Sequence, residues 1–311
     1  MAGGLLHKMW HVKTAQGAYA VKQLNSHIVT SSMQIKELET SENIARTFAQ
    51  NNVPVAAALT FDNKSVIELD EEYFIIYPWI DAKTLGPDEV SITHAQKMGT
   101  TVAGLHKLDI QPKEPVNTQY DLHPADIFKN LIETTVAGDF PYSPTLEKHA
   151  VQVLDWNQDF QNAIPLLSKR LIICHGDLDQ KNVLWTKDQE PVLIDWESAR
   201  LLNPMQEMMT VALDWSGIST GLVYQDIFTS FLKAYVAAGG KINESQIIPA
   251  FGGVKGNWLN WLYYNLERSL GKHVDQHEDQ ILGIKQAGVA LNILITIDKN
   301  LGTWIDIVRG L

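Results

Sequence analysis

The sequence predicts an α+β fold in two lobes: a small N-terminal antiparallel β-sheet lobe with one main helix, and a larger, mostly helical C-terminal lobe with short embedded strands. Three observations carry this. Short β-type runs surround a single amphipathic helix in residues 1–80. From residue 81 onward the apolar residues recur with a helical period. Three short apolar runs, at 171–174, 182–186 and 191–194, interrupt that helical part.

The elements follow in order. Runs 9–12 and 18–23 are short strands separated by the turn-like Thr14-Ala15-Gln16-Gly17. Ser31 and Ser32 are N-cap candidates for a helix that runs to about residue 50, with Ile35, Leu38, Ile44, Ala45 and Phe48 on its apolar side. Asn51-Asn52 stops it, and Val53-Pro54-Val55 begins an extended segment. Run 73–77 is β-rich and ends at Pro78. Pro78, Gly86 and Pro87 punctuate the chain, so the boundary falls near residue 80, giving lobes of 1–80 and 81–311. Ser91 can cap a helix with Ala95, Met98, Val102 and Leu105 on one face. Further helices are expected at about 144–168, 205–215, 222–238, 244–270 and 278–300.

Composition narrows the function. The chain has 311 residues and a formal net charge of −11, and 45% of it is hydrophobic, enough for a large core without staples. One cysteine, Cys174, excludes a disulfide framework and a cysteine-based zinc site, and it reads as an inert core residue. The longest uninterrupted apolar run, 73–80, holds eight residues, so no membrane span is expected. Residues 1–8 show no basic stretch followed by an apolar one, so a cytoplasmic protein is expected. Nucleic acid is a poor partner for an acidic chain, because phosphate contacts need basic clusters. The charge is uneven: −2 over residues 1–80 and −9 over 81–311. A field of that sign gathers cations around the second lobe.

The chemistry concentrates in LIICHGDLDQKNVLWTKDQEPVLIDW, residues 171–196. An apolar strand delivers His175-Gly176-Asp177. Asn182 follows five residues after Asp177, and Asp195 thirteen after Asn182, at the end of another strand. Phosphoryl transfer needs such a set: one carboxylate to orient a hydroxyl and accept its proton, with a second carboxylate and an amide oxygen as hard ligands for Mg²⁺ on nucleotide phosphates.

This stretch resembles the kinase catalytic loop, H-x-D-x-x-x-x-N followed by a metal-binding Asp. Trp196-Glu197 after that Asp, and Asp179 in the loop, depart from protein kinases. His175-Gly176-Asp177-Leu178 and Leu193-Ile194-Asp195-Trp196 are similar to the aminoglycoside phosphotransferase and choline kinase family of small-molecule kinases. The resemblance covers roughly residues 3–270 and implies a bilobal protein-kinase-like fold. It also implies Asp177 as catalytic base and Asn182 and Asp195 as metal ligands, with ATP or GTP and Mg²⁺ as cofactors. Lys22, after Ala20-Val21, resembles the nucleotide lysine, whose glutamate partner on the next helix is Glu42, with Glu39 second. Gly3-Gly4 resembles the end of the glycine-rich phosphate loop, and Tyr77, Trp79 and Ile80 lie where the adenine hinge would be. Pro78 has no N–H, so a hinge donor is Trp79 or Ile80.

Other residues read more plainly. His175 is structural, Lys181 a solvated loop lysine, and His273 with His277 a solvated helix start. Trp258, Trp261 and Tyr264 make an aromatic helix side that either packs into the core or lines the acceptor site, with Glu267 and Glu197 as carboxylates toward a cationic substrate. The acceptor is expected to be a small molecule bearing a hydroxyl, and the charge favours a cationic one. An aminoglycoside leads, with a choline, thiamine, homoserine or fructosamine kinase as alternative. A catalytically silent nucleotide-binding protein of the same fold is the remaining reading. Oligomeric state is not encoded in any motif.

Overall fold

β1 (Lys8–Thr14) and β2 (Gly17–Gln23) form the expected hairpin, Thr14 facing Gly17 at its turn. A computed structural model of the chain describes residues 7–26, 29, 31–110, 120–274 and 276–311. Gly3 and Gly4 lie outside the described residues.

Two more strands, β3 (Val66–Leu69) and β4 (Glu72–Pro78), complete an antiparallel sheet of order β1-β2-β4-β3. Lys22 sits centrally in it, opposite Met9 on one side and Ile75 on the other. Helix α1 (Ser32–Gln50) starts from a reciprocal cap. The Gln34 N–H donates to Ser31 Oγ at 3.3 Å, and the Ser31 N–H donates to Gln34 Oε1 at 3.1 Å. Its apolar face buries Ile44, Ala45 and Phe48.

The second lobe is built from α2 (Ile92–Leu108), α3 (Ala125–Ala137), α4 (Ser143–Leu167), α5 (Pro204–Trp215), α6 (Gln225–Ala237), α7 (Ile247–Ser269) and α8 (His277–Arg309). Two small sheets are set among these helices. β5 (Ala82–Lys83), β7 (Val183–Thr186) and β8 (Pro191–Leu193) pair in the order β5-β7-β8, and β6 (Ile172–Cys174) pairs with β9 (Arg200–Leu202). The helices 144–168, 205–215, 222–238 and 244–270 are present within a few residues of their expected ends. Four elements were not anticipated: β3, β5, β9 and helix α3.

The last helix is longer than the expected 278–300. By length and mean hydropathy α8 reaches the range of a membrane span, which the run-length criterion had not foreseen. Its apolar residues are engaged inside the protein: Ala287, Ala290, Leu291, Leu294 and Ile297 are buried, and α7 packs along it.

One large apolar core runs through α2, α5, α6, α7 and α8 and continues into the first lobe through Ile44, Ala45, Phe48 and Val53. Phe48 stacks on Trp196 with centroids 5.0 Å apart. The segment after α1 is also hydrogen-bonded to β8. The Leu193 N–H donates to the Pro54 carbonyl at 2.7 Å, and the Ala56 N–H to the Leu193 carbonyl at 3.0 Å. The lobes are therefore joined beside the end of the strand that carries Asp195.

Candidate active site

β6 is an all-buried strand that ends at Cys174 and hands the chain to His175-Gly176-Asp177. His175 is fully buried, and its Nε2 donates to the Ile194 carbonyl at 3.0 Å. Burial lowers its pKa and keeps the ring neutral, so it is a brace between strands, as read from sequence. Gly176 has φ +84, and a Cβ there would lie 2.3 Å from the Ser198 carbonyl oxygen, so only glycine fits.

The Gly176 N–H donates to Glu207 Oε1 at 2.9 Å. The other Glu207 oxygen meets His106 Nε2 at 2.8 Å, and His106 Nδ1 meets the Tyr235 hydroxyl at 2.9 Å. All three residues are buried. Burial alone would raise the Glu207 pKa. The hydrogen bond and charge of His106, followed by the Gly176 N–H, hold it down to about 2. Helices α2, α5 and α6 thus meet at the residue just before Asp177. No sequence signal pointed to this chain.

Asp177 and Asn182 come together as the spacing implied. Asn182 ends a one-turn 3₁₀ helix, Gln180–Asn182, capped by Asp179. Its Nδ2 donates to the Asp177 carbonyl at 2.7 Å and to Asp177 Oδ2 at 2.9 Å. The Ile194 N–H donates to the Asn182 carbonyl at 3.0 Å, which sets the end of β8 alongside and brings Asp195 to the site. Asp195 itself is left-handed, φ 61 and ψ 69. Lys181 is exposed, as expected of a loop lysine, and its Nζ also lies 3.2 Å from Asp177 Oδ2 and 3.0 Å from Asp179 Oδ2.

Lys22 reaches across from the sheet. Its Nζ is 3.2 Å from Asp195 Oδ1 and is also bonded to Glu197 Oε1. Burial would lower the lysine's pKa, but Asp195 and then Glu197 outweigh it and raise the value. Glu197 also pairs with His7 Nε2 at 3.5 Å. Burial would raise Glu197, but the hydrogen bond from His7, then Lys22, bring it down to about 2.

Two carboxylates are paired otherwise than expected. Glu197, expected toward a cationic substrate, is paired with Lys22, because the one-turn helix after Asp195 turns its side chain back toward the sheet. Lys22 makes no hydrogen bond to Glu42. Glu42 is 4% exposed, its Oε1 accepts from the Tyr77 hydroxyl, and its buried Oε2 has no side-chain partner among the described residues. Tyr77 therefore acts through its hydroxyl on Glu42. Glu39, the second choice, is engaged elsewhere: the Ser65 and Val66 N–H groups donate to it, the latter at 2.8 Å.

Burial raises Glu42 to about 7, and Tyr77 and Lys22 only partly oppose this. A folded-state pKa above the unfolded one stabilises the protein below about pH 4.5, and that contribution is lost as pH rises through 7. In Glu42→Gln, the ligand-free protein should therefore gain up to about 3 kcal/mol at pH 8 relative to wild type and little at pH 4. Thermal unfolding at both pH values reads this out; an equal shift at both would show that burial does not raise the Glu42 pKa.

At the hinge, the Trp79 N–H donates to the Ala18 carbonyl at 3.0 Å, so it is not available to a base. The Ile80 N–H has no partner among the described residues. The Trp79 indole stacks on His11 at 3.7 Å.

The proposed acceptor wall does not gather at Asp177. On α7, Trp258 packs into the core, whereas Trp261 and Tyr264 stack on each other at the surface, each 38% exposed. Glu267 pairs with Lys272 at 3.0 Å and with His273 at 3.1 Å. Three-residue spacing on one helix sends these rings to two different environments, and no contact among the described residues joins them to the Asp177 group.

The donor set suits a hard cation. With Nδ2 of Asn182 committed to Asp177, its Oδ1 has no partner among the described residues. An amide oxygen and a carboxylate are ligands that Mg²⁺ accepts.

The model of the phosphotransferase enzyme family matches residues 1–244. No curated protein matches the chain in sequence. Among solved structures, an aminoglycoside phosphotransferase from Alicyclobacillus acidocaldarius aligns over 98% of this chain and 92% of its own, with 14% identity and a TM-score of 0.60. A spectinomycin phosphotransferase solved with ADP and spectinomycin gives 0.66 at 13% identity, covering 95% of this chain and 92% of that one. A choline kinase from Streptococcus pneumoniae gives 0.56 at 16% identity, with 93% and 91% covered. Both the expected bilobal kinase-like fold and the kinase-type chemistry stand on these matches, and the chain belongs to the phosphotransferase enzyme family.

Proposed function

We propose that this protein transfers the γ-phosphoryl group of ATP to a hydroxyl of a small, cationic molecule. The observation that carries the reading is the meeting of four groups at one cleft: Asp177 bonded to Asn182, and Asp195 bonded to Lys22 from the opposite lobe. Asp177 is placed to orient the hydroxyl and accept its proton. Asn182 and Asp195 would hold Mg²⁺, which neutralises charge on the nucleotide phosphates when bound. Lys22 can exchange its carboxylate partners for phosphate oxygens, with Glu42 Oε2 as the buried acceptor that would steady it. The Ile80 N–H offers the base one main-chain donor. Main-chain recognition of that kind does not choose ATP over GTP, and ATP is favoured here by the ADP and AMP-PNP bound in the spectinomycin phosphotransferase and amicoumacin kinase structures.

The acceptor class rests on two supports. Residues 81–311 carry −9. Similar structures include kinases named for choline and ethanolamine, both amino alcohols, and for spectinomycin. Mg·ATP should raise the melting temperature of the wild-type chain, since a ligand that binds only the native state stabilises it by about 2.7 kcal/mol at a hundredfold excess over Kd. In Asp195→Ala the Mg²⁺-dependent part of that shift should vanish. An unchanged shift would remove Asp195 from the metal site. A panel of amino sugars and amino alcohols, read by ADP release, then identifies the acceptor; turnover of only anionic or neutral alcohols would overturn the cationic reading.

A further inference from the structure

We propose that Lys181 and Asp179 are positioning residues for Asp177, and that Oδ1 of Asp177 is the atom that takes the acceptor's proton; this rests on the phosphoryl-transfer reading above. Oδ2 of Asp177 has two donors, Asn182 Nδ2 at 2.9 Å and Lys181 Nζ at 3.2 Å. A carboxylate oxygen offers about two lone-pair sites, so Oδ2 is filled. Oδ1 has no partner among the described residues, and the side chain is 42% exposed. Rotating the carboxylate about its terminal torsion would break both bonds to Oδ2, so the two donors together set its plane and present Oδ1 to the cleft.

Lys181 is itself held. Its ammonium lies 3.0 Å from Asp179 Oδ2, and its main-chain N–H donates to Asp179 Oδ1 at 3.0 Å. One carboxylate therefore holds the lysine at both its backbone and its tip. The main-chain bond from Asn182 Nδ2 to the Asp177 carbonyl, 2.7 Å, closes the loop on the other side. Although the Lys181 side chain is 63% exposed, it bridges two carboxylates that the one-turn helix Gln180–Asn182 brings together, which a free surface lysine does not do.

The hydroxyl oxygen forms a bond to the γ-phosphorus while the bond from that phosphorus to the β–γ bridging oxygen breaks. The bonding pair leaves with ADP. The hydroxyl proton passes to Asp177 Oδ1 and from there to solvent. Lys181 takes no proton; it keeps Oδ1 aimed at the hydroxyl. Misaiming a general base by a fraction of an ångström to an ångström is expensive in rate and cheap in binding.

The test uses the full chain with Mg·ATP, both with the best acceptor from the panel and with water as acceptor. Lys181→Met should lower kcat by about 10-fold or more while KM for ATP and for the acceptor stay within about threefold. Lys181→Arg, which keeps a cation in reach of both carboxylates, should recover most of the loss. In an Asp177→Asn background, Lys181→Met should change the rate by less than about twofold, because there is no base left to aim. Melting curves establish that the variants are folded. Wild-type kcat in Lys181→Met overturns the proposal. So does a loss confined to KM for ATP, which would mean direct phosphate contact, or an equal loss in the Asp177→Asn background. If these results come from a wild-type chain that turns over Mg·ATP, only the clamp falls. A wild-type chain that neither binds nor hydrolyses Mg·ATP removes the kinase reading and the clamp with it.

Discussion

Asp177→Asn should lower phosphoryl transfer by about 10²–10⁴-fold and leave Mg·ATP affinity within about threefold of wild type. The amide has the shape of the carboxylate and can still accept from Asn182 Nδ2, now 2.9 Å from Oδ2, so the loop should keep its form. What it loses is the ability to take a proton at cleft pH, and the ionic part of the contact with Lys181. The groups assigned to the nucleotide, Lys22, Asn182 and Asp195, are untouched. Single-turnover rates with the identified acceptor, set beside calorimetric binding of a non-hydrolysable ATP analogue, separate the two effects. Turnover near the wild-type value would remove Asp177 from the base role.

Glu207→Ala should have the largest effect on stability, a loss of about 3–5 kcal/mol. The substitution leaves His106 Nε2 and the Gly176 N–H without acceptors inside a core that excludes water. It also opens a cavity between α2, α5 and α6. For a chain of this size the melting temperature should fall by about 1.5 °C per kcal/mol. Glu207→Gln keeps one acceptor and should fall between the two. The wild-type protein should show the same dependence in pH: the Glu207 contribution is complete above about pH 4.5 and lost as pH falls toward 2, because the folded pKa is the depressed one. Activity should drop more than stability alone explains, since Gly176 immediately precedes Asp177. A melting temperature within a degree or two of wild type would show that another group satisfies the Gly176 N–H.

Much of the site was legible because it is local. Asp177, Asn182 and Asp195 sit within nineteen residues of one another on short strands and a single turn, and their spacing alone brings them together. Lys22 was legible from its place at the end of a β run. Partner choice was not, because an ion pair is decided by three-dimensional distance. Glu37, Glu39 and Glu42 share one helix, yet the carboxylate that reaches Lys22 is Glu197, far along the chain. The Glu207–His106–Tyr235 chain joins three helices and leaves no local pattern.

The fold was readable where periodicity was strong. α3 was missed although Phe128, Leu131, Ile132 and Thr135 are buried at helical spacing, because its cap position is Pro124, without a side-chain acceptor. On α7 the aromatic residues fooled the reading in the opposite sense. A ring every three or four residues suggests one face, but the helix turns Trp258 inward and leaves Trp261 and Tyr264 outside.

The junction of Pro54 and Ala56 with Leu193, together with Phe48 on Trp196, bears on how the chain comes apart. The boundary expected near residue 80 should then not be a cooperative one. A fragment ending there would carry the exposed Phe48 face of α1 and two unpaired main-chain groups, and the remainder would lose the neighbour of β8. The two lobes should therefore denature in one transition, and Asp195 should be ordered only when both are.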